Sequence, residues 1–353
     1  MASDLTILHL SDIHADSLTH YSLPRLDKVV DSIAASQSDI PTLVMVTGDI
    51  VYAGSEKEFE AIRPRLESIE QELKKKSGQE ISWLFVPGNH DGQYKGSTSA
   101  RNYTIEGLLK RGNESEIDES IIDICTAPQK NYFDFRDKFL PPGKLIYQDK
   151  LLSIHELETA GKKVQFWAFN VSWTSQVPEQ QGNVIFPVKP YQKFVHEEAA
   201  DYRIALLHHP LNWYAQSTYH TFRDFLLNNF CIVLSGHEHI AGNHQIIQNL
   251  DDSTGTQMIY AGAFAPHKKD ERSEFEVLTL GAIDSIVNRY IYVWNEGHAT
   301  FNEQLDKRDS RPLAIRRARS FELREEVKER LEDLGAPFFS SDYRKTAFVG
   351  RLC

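Results

Sequence analysis

The chain has 353 residues, of which 41% are hydrophobic and 25% are charged, and its formal net charge is −11. Enough apolar residues are present to bury a sizeable core, which excludes global disorder. The acidic balance disfavours a protein that coats nucleic acid, because neutralising phosphates requires a basic surface.

Length, cysteine content and hydropathy narrow the class of protein further. At this length we expect one large layered domain with a smaller appendage. The three cysteines, Cys125, Cys231 and Cys353, are far apart, so neither a disulfide framework nor a thiolate zinc site is predicted. No apolar run reaches the roughly 18 residues of a membrane span, and the first residues lack the profile of a signal peptide, so we expect no membrane span and a cytoplasmic location.

The first part of the chain alternates strand and helix patterns. Apolar runs predict buried strands over residues 5–10, 41–47 and 81–86. A helix is predicted over about 23–35, and Ser55 with Glu58 predicts a capping box for a helix that reaches about Lys76. This alternation indicates a mostly parallel sheet covered by helices, with the carboxyl ends of its strands along one ligand-binding edge.

The pattern is less regular from residue 92 to about 202, where we predict a partly helical insertion, roughly over 92–163, with a hairpin or two. Further core strands are predicted at 164–169, 203–207 and 231–234, and four antiparallel strands at 243–249, 257–261, 275–280 and 285–294 are expected to form a second sheet. Residues 303–353 carry 12 Lys and Arg against 10 Asp and Glu, and a helix is predicted there over 320–334.

Five predicted strands end in residues that bind metal ions well. In chain order these segments are Asp12-Ile13-His14, Gly48-Asp49, Gly88-Asn89-His90-Asp91, His208-His209-Pro210 and Gly236-His237-Glu238-His239. Carboxylate, imidazole and amide ligands without thiolate suit Mn, Fe, Zn or Ni. Enough ligands are present for two ions, and an Asp that bridges two ions about 3.5–4 Å apart is a recurrent arrangement for the hydrolysis of phosphate esters.

Each of these segments has an ordinary structural explanation when it is taken alone. An Asp-x-His segment is usually a turn or a helix cap, and Gly-Asp by itself carries even less information. The occurrence of all five in order, each after an apolar strand, favours a metal centre over five unrelated turns.

The ordered set resembles the calcineurin-like metallophosphoesterase superfamily over roughly residues 5–294. The resemblance implies an α/β fold, a four-layered α/β/β/α sandwich with a dinuclear metal site between its loops. It further implies a metallophosphoesterase domain over residues 1–302, followed by a small basic helical extension over 303–353.

The resemblance also implies a role for each residue of the set. The ligands of one ion would be Asp12, His14 and His239, the bridge Asp49, and the ligands of the second ion Asn89, His208 and His237. His90 would protonate the leaving oxygen as a general acid, and Asp91 would be its orienting partner. Whether His208 or His209 is the ligand stays open; His208 is preferred because it follows the strand directly.

The implied reaction is hydrolysis of a phosphate ester by a hydroxide that bridges the two metals. Gly48-Asp49 continues as Ile50-Val51-Tyr52, which departs from the protein Ser/Thr phosphatases. Residues 47–59 look most like the bacterial cyclic nucleotide and glycerophosphodiester phosphodiesterases, so a phosphodiester or nucleotide-like substrate is expected. Lys95 and Arg101 could hold a phosphate, although a solvated loop is the preferred interpretation.

Two alternatives remain. The protein could be a nuclease whose basic tail grips DNA or RNA, which the acidic main domain disfavours. It could also be a non-catalytic scaffold that docks a protein partner through its C-terminal extension; scaffolds of this superfamily have lost metal ligands or the catalytic His, whereas this chain retains them.

Overall fold

The computed structural model describes residues 5–17, 20–95, 98–111, 117–246, 255–265, 272–281 and 285–313. The predicted C-terminal helix over 320–334 lies outside these residues. Among the described helices, none combines the length and the apolar character that crossing a bilayer requires.

Strands and helices alternate along the first part of the chain, as the sequence predicts. The elements are β1 (Leu5–Leu10), α1 (Leu23–Leu26), α2 (Val29–Ser36), β2 (Leu43–Thr47), α3 (Glu56–Ser77) and β3 (Ser82–Val86). The predicted helix over 23–35 is divided in two, because the N–H of Lys28 bonds to the carbonyl of Arg25, three residues earlier, and interrupts the α-helical ladder.

The predicted capping box is present at the start of α3. The hydroxyl of Ser55 accepts from the N–H of Glu58, and the Glu58 carboxylate accepts from the N–H of Ser55 at 2.9 Å. The helix ends at Ser77 and is capped by Gly78, whose φ of +70° is a conformation that glycine adopts without strain.

The rest of the chain supplies the remaining helices and strands. They are α4 (Ser99–Arg111), α5 (Glu119–Thr126), α6 (Lys130–Arg136), β4 (Lys144–Gln148), β5 (Leu152–Thr159), β6 (Lys162–Phe169), α7 (Gln192–Glu197), β7 (Tyr202–Leu206), α8 (Gln216–Asn229), β8 (Ile232–Ser235), β9 (Gly242–Ile246), β10 (Thr256–Tyr260), β11 (Glu274–Gly281), β12 (Ile286–Asn295), β13 (Thr300–Glu303) and β14 (Asp309–Pro312).

The strands form two seven-stranded sheets. The first has the order β13-β12-β11-β1-β2-β3, with β14 also paired to β12, and the second has the order β4-β5-β6-β7-β8-β10-β9. The prediction that β9 to β12 form one sheet is therefore wrong: β9 and β10 extend the second sheet, whereas β11 pairs antiparallel with β1 of the first. The reason is that β11 is buried along its whole length and needs cover on both faces, which the interior of the first sheet provides.

Alternating side chains of the sheets divide the interior into three apolar layers. In β2, Val44 and Val46 belong to the core that contains the apolar face of α3, whereas Leu43 and Met45 belong to the core between the two sheets. The outer face of the second sheet, including Trp167, packs with residues of α8 and α4. The predicted four-layered α/β/β/α sandwich is confirmed. The predicted boundary at residue 302 falls inside β13, and β14 beyond it also pairs with β12, so the first sheet extends past that residue.

His155 in β5 is expected to make the stability of the fold depend on pH. The residue is 3% exposed, and burial, aided by the charge of Arg136, lowers the pKa of His155 to about 4. The unfolded chain, with an ordinary histidine, takes up the proton first, so stability is lost as the pH falls below about 6.5 and the loss is complete below about 4.

We expect His155 to account for a loss of about 2 kcal/mol in the free energy of unfolding between pH 7 and pH 5. Urea denaturation of the wild type and of His155→Gln at both pH values checks this, and the variant should lack that share of the loss. The exposed His196 is a matched control, since His196→Gln should keep the wild-type pH dependence. An identical dependence in all three proteins would contradict the prediction.

Candidate metal centre

The predicted ligand segments follow strands of both sheets and meet at one edge of the sandwich. Asp12, Asp49 and Asn89 follow β1, β2 and β3 of the first sheet, and His208 and His237 follow β7 and β8 of the second. Two bonds join the sheets there: Nδ1 of His208 lies 2.7 Å from the carbonyl oxygen of Thr47, and the N–H of His237 donates to Asp12 over 3.1 Å.

One group of ligand atoms is formed by Asp12, His14 and His239. Nε2 of His239 lies 3.3 Å from both Oδ1 of Asp12 and Nε2 of His14. Nε2 of His14 lies 3.8 Å from Oδ1 of Asp12 and 3.9 Å from Oδ2 of Asp49. These atoms come from three separate segments of the sequence and converge on one small volume.

A second group is formed by Asn89, His208 and His237. Nε2 of His208 lies 3.0 Å from Oδ1 of Asn89, 3.2 Å from Nδ1 of His237 and 3.3 Å from Oδ2 of Asp49. Nδ1 of His237 lies 3.1 Å from Oδ1 of Asn89. Because the same Oδ2 of Asp49 faces both groups, Asp49 stands between them.

The residues present fit a pair of cations. Oδ1 of Asp12 is buried and has no hydrogen-bond partner among the described residues, and such an atom is costly unless a ligand satisfies it. The donors are carboxylate, amide oxygen and imidazole nitrogen, a set suited to Mn, Fe, Zn or Ni. At His208 the bond from Nδ1 to the Thr47 carbonyl fixes that nitrogen as a donor, so Nε2 is the nitrogen that faces the group and would bind a cation.

The ionisation of the ligands also suits cations. Burial raises the pKa of Asp12, but the close approach of Nε2 of His239 to Oδ1, at 3.3 Å, and the charges of His208 and His239 outweigh burial and lower the pKa to about 2. Burial likewise opposes ionisation of Asp49, yet the charge of His208 holds its pKa well below the usual range. Burial lowers the pKa of His237 to about 2. The carboxylates are thus ionised and His237 is neutral at pH 7, the forms that ligate metals. Burial opposes protonation of His208, but the negative charges of Asp49 and Asp12 outweigh it and raise its pKa to about 10, so a cation would displace a proton when it binds His208.

Five of the seven predicted ligands have a left-handed backbone conformation, which is uncommon for residues other than glycine. They are Asp12 (φ 53°), His14 (φ 47°), Asp49 (φ 51°), His237 (φ 71°) and His239 (φ 59°). Each such conformation costs on the order of 1–3 kcal/mol and persists only where the surroundings impose it. The sharp turns aim consecutive side chains at one point beyond the strand ends.

Gly88 makes room for Asp49. A Cβ added at Gly88 would lie 2.1 Å from Oδ1 of Asp49, closer than any van der Waals contact, so the carboxylate would have to move. Gly236 has the same relation to the other ligand group, since its added Cβ would lie 2.8 Å from Oδ2 of Asp12 and 2.0 Å from Oγ of Ser11.

We therefore expect Gly88→Ala to weaken metal binding by about 100-fold, because misplacing a ligand has effects of this size. Gly107 in α4 is the matched control, since a Cβ added there meets no atom within 4 Å. Gly107→Ala should leave metal content unchanged and stabilise the helix by about 0.5–1 kcal/mol. Metal analysis and thermal denaturation of both variants check this; full metal content in Gly88→Ala would contradict it.

His90 lies beside the ligand groups. Its N–H donates to Oδ1 of Asp49 over 2.8 Å, and its Nδ1 lies 2.7 Å from the carbonyl oxygen of Tyr52. The ring packs edge-on against His14, with centroids 4.9 Å apart. Because the Tyr52 carbonyl can only accept, Nδ1 carries a proton there.

Asp91 does not have the role that the resemblance implies. Its carboxylate accepts from the N–H groups of Val51 at 3.1 Å and Gly88 at 2.8 Å, whereas the Tyr52 carbonyl takes the position expected of an orienting partner for His90. Burial, together with the negative charge of Asp49, raises the pKa of Asp91 to about 8. Asp91 therefore fixes the turn that carries Asn89 and His90 rather than the imidazole itself.

The choice between His208 and His209 favours His208. Nε2 of His209 lies 2.9 Å from Oε1 of Glu179, and its Nδ1 lies 3.4 Å from Oγ of Ser172. His209 is completely buried, and its nitrogens face these partners, whereas Nε2 of His208 faces Asn89 and Asp49. Glu179 was not identified from the sequence, because it lies in an irregular loop far from every ligand segment.

His9 is a second residue that the sequence analysis missed. It is buried in β1, with Nδ1 2.5 Å from Glu276 and Nε2 2.9 Å from Oγ1 of Thr47. Glu276 in turn accepts from Arg289. Since the carbonyl of Thr47 holds His208, this buried network supports the ligand from behind. The alternation of β1 could have indicated it, because His9 shares the inner face with Leu5 and Ile7.

A cleft of about 1090 Å³ opens beside the ligand groups. Asn89, His90 and His237 line it, together with Trp213 and Arg101. The expectation that Arg101 lies in a solvated loop is wrong, since it belongs to α4 and is only 2% exposed.

A family model described as calcineurin-like phosphoesterase matches residues 5–241. Among curated proteins, a sequence comparison finds no match. Among solved structures, Vps29 of Entamoeba histolytica complexed with Zn²⁺ is similar at 12% identity and a TM-score of 0.33, covering 87% of this chain and 99% of that one. Vps29 of Chaetomium thermophilum is similar at 9% identity and a TM-score of 0.34, covering 88% and 98%. These likenesses carry no argument about activity or partners.

Proposed function

Because the chain belongs to the calcineurin-like phosphoesterase family, we propose that it hydrolyses phosphate esters with two bound cations, on a phosphodiester or nucleotide-like substrate. The observation that carries the proposal is the shared carboxylate: Oδ2 of Asp49 lies 3.3 Å from His208 of one ligand group and 3.9 Å from His14 of the other. Two groups of ligands around one carboxylate support a pair of ions rather than a single structural ion.

Asp12, His14, Asp49 and His239 would hold one ion, and Asp49, Asn89, His208 and His237 the other. When bound, such cations, whether Mn, Fe, Zn or Ni, neutralise the phosphate and lower the pKa of water. The phosphoester would lie in the cleft beside Asn89 and His90. Because Nδ1 of His90 is engaged by the Tyr52 carbonyl, its Nε2 is the atom that would protonate the leaving oxygen.

The cleft supports a substrate larger than a phosphate group. At about 1090 Å³ it slightly exceeds the range of ordinary small-molecule sites, about 300–1,000 Å³. Trp213 on its wall supplies an aromatic face suited to a base or another flat group.

We further propose that the catalytic domain acts in the cytoplasm and reaches past residue 302, because β13 and β14 pair with β12 of the first sheet. The residues after 316 would then form an extension available to a protein partner. Expression of residues 1–316 alone tests this division, and the shortened protein should retain turnover if the extension serves another purpose.

The decisive experiment is a metal-supplemented screen of the full chain. The chain is dialysed against EDTA, reloaded with Mn²⁺ or Zn²⁺, and assayed on bis-p-nitrophenyl phosphate, p-nitrophenyl phosphate, cyclic nucleotides, DNA and RNA. We expect turnover of diesters only after reloading. Cleavage confined to DNA or RNA and falling steeply with salt would instead identify a nuclease. Bound cations without turnover of any ester would identify a scaffold and overturn the proposal.

A further inference from the structure

Arg101 is a buried arginine in the wall of the cleft whose charge no described carboxylate neutralises. Its Nε donates to the carbonyl of Cys125 over 2.9 Å, and its Nη2 donates to the carbonyls of Trp173 and Ser175 over 3.2 and 2.8 Å. These bonds tie α4 to α5 and to the loop that forms one wall of the cleft. Neutral carbonyls satisfy the donors without neutralising the cation, and a buried cation without a counter-charge is unfavourable.

The third nitrogen of this guanidinium, Nη1, has no protein acceptor among the described residues. Nη1 is not among the fully buried side-chain nitrogens that lack a hydrogen-bond partner. Since it has no described protein acceptor, it must therefore be in contact with solvent. Arg101 lines the cleft, so the cleft is where this contact occurs. Burial lowers the pKa of Arg101, and the groups that oppose this are Tyr94 and Cys125 rather than a carboxylate. The charge thus faces the cleft without a carboxylate paired to it. Glu179 also lines this cleft, but its carboxylate bonds to Ser175 and His209 rather than to Arg101.

Tyr94 connects this charge to the loop of His90. The Arg101 guanidinium lies 5.1 Å from the centroid of the Tyr94 ring, and a Cβ added at Gly92 would lie 2.5 Å from the same ring, so the ring packs against the chain just beyond His90. One cleft therefore contains the candidate catalytic imidazole, an aromatic ring and a buried cation.

We propose that Arg101 binds a second anionic group of the substrate, a phosphate or a carboxylate, while the phosphoester is held beside His90. The inference rests on the proposed function, because it assigns the other end of the same substrate. The anion would accept from Nη1, and such charge-assisted hydrogen bonds are strong. The preferred substrates are then phosphoesters that carry a further negative charge.

Binding of inert substrate analogues tests the inference. Diphenylphosphinate carries one negative charge and has no ester bond to hydrolyse; its 4-carboxy and 4-phosphono derivatives add a second anionic group of either kind. Calorimetry on the full chain loaded with Mn²⁺ should show the derivatives bound about 10- to 100-fold more tightly than diphenylphosphinate. The derivative with the larger gain identifies the preferred anion.

Arg203 provides a matched control, since it is another buried arginine, 1% exposed, whose Nη2 donates to two main-chain carbonyls, and it does not line the cleft. Arg101→Gln should abolish the preference for the derivatives, and Arg203→Gln should retain it, with Mn²⁺ content unchanged in both. If Arg101→Gln does not fold, Arg101→Lys takes its place and should weaken the preference.

Equal affinity of the wild type for all three phosphinates, or a preference that survives the change at Arg101, would overturn the inference. Neither result bears on hydrolysis, which is measured separately. If diesters are turned over but the binding preference for the derivatives does not depend on Arg101, this inference alone is refuted. If the binding preference depends on Arg101 but no ester is turned over, the proposed function alone is refuted.

Discussion

Asp49→Asn is expected to lose cations from both ligand groups at once and to lower kcat/KM by about 1,000-fold or more, equivalent to about 4 kcal/mol of transition-state stabilisation. The reason is geometric: Oδ2 of Asp49 faces both His208 and His14, so the substitution removes the one negative charge that the two groups share. The amide keeps the size of the side chain and an oxygen that can accept from the N–H of His90, so loss of packing does not account for the effect.

Metal content per chain, measured by mass spectrometry after dialysis, is the primary readout, and activity on bis-p-nitrophenyl phosphate is the second. Asp16→Asn is the control, since Asp16 is an exposed carboxylate only two residues from His14. It should keep both cations and full activity. An Asp49→Asn protein that retained two cations would show that the ligand groups do not share this carboxylate.

Parts of the fold could be predicted from local patterns in the sequence. Alternation of apolar residues in β2 and the capping box at Ser55 depend on neighbours close in the chain, so both were predictable. The placement of β11 beside β1 could not be predicted, because an apolar strand does not show in its sequence which sheet it joins. Its place depends on where the assembled sheets offer an interior position that covers both of its faces.

The candidate site divides in the same way. That Asp12, His14, Asp49, Asn89 and three later histidines meet could be expected, because each follows an apolar strand. The hydrogen-bond partner of His90 could not be predicted, because it is the main-chain carbonyl of Tyr52, which any residue at that position would supply. Asp91, next to His90 in sequence, turns inward to main-chain N–H groups instead, since the tight turn after β3 leaves those donors unpaired.

The buried charged residues beside the site, Arg101 and Glu179, could not be assigned to it from local sequence patterns. Arg101, for which the sequence favours a solvated loop, and Glu179 lie in the irregular middle of the chain. Arg101 is positioned by bonds to α5 and to the loop after β6, and Glu179 by its contact with His209. Hydrogen bonds of this kind join residues more than twenty positions apart at Arg101, beyond the reach of any local pattern.

His90→Gln is expected to keep both cations and yet lose catalysis in a way that depends on the leaving group. The hydrogen bond from His90 to Asp49 runs from the main-chain N–H, and Nδ1 of its ring lies 2.7 Å from the Tyr52 carbonyl. The side chain can therefore change without removing one of the seven predicted ligands, although a ring nitrogen lies within 4.8 Å of ligand atoms of His14 and Asp49. A general acid matters most when the departing oxygen is basic, so kcat for an ester with an alkoxide leaving group should fall about 100- to 10,000-fold. For a p-nitrophenolate leaving group, which departs without protonation, the fall should be less than about 10-fold.

The measurement is kcat on two substrates with different leaving groups. Bis-p-nitrophenyl phosphate releases p-nitrophenolate, and a dialkyl phosphate or a cyclic nucleotide releases an alkoxide. An alkyl p-nitrophenyl diester cannot serve as the second substrate, because it also releases p-nitrophenolate. His220→Gln, at an exposed histidine of α8, should leave both rates unchanged. Equal losses of His90→Gln on both substrates would mean that His90 binds the phosphate without donating a proton. Loss of cations from this variant would instead make His90 part of the metal centre, which its bond from Nδ1 to the Tyr52 carbonyl and its place on the cleft wall argue against.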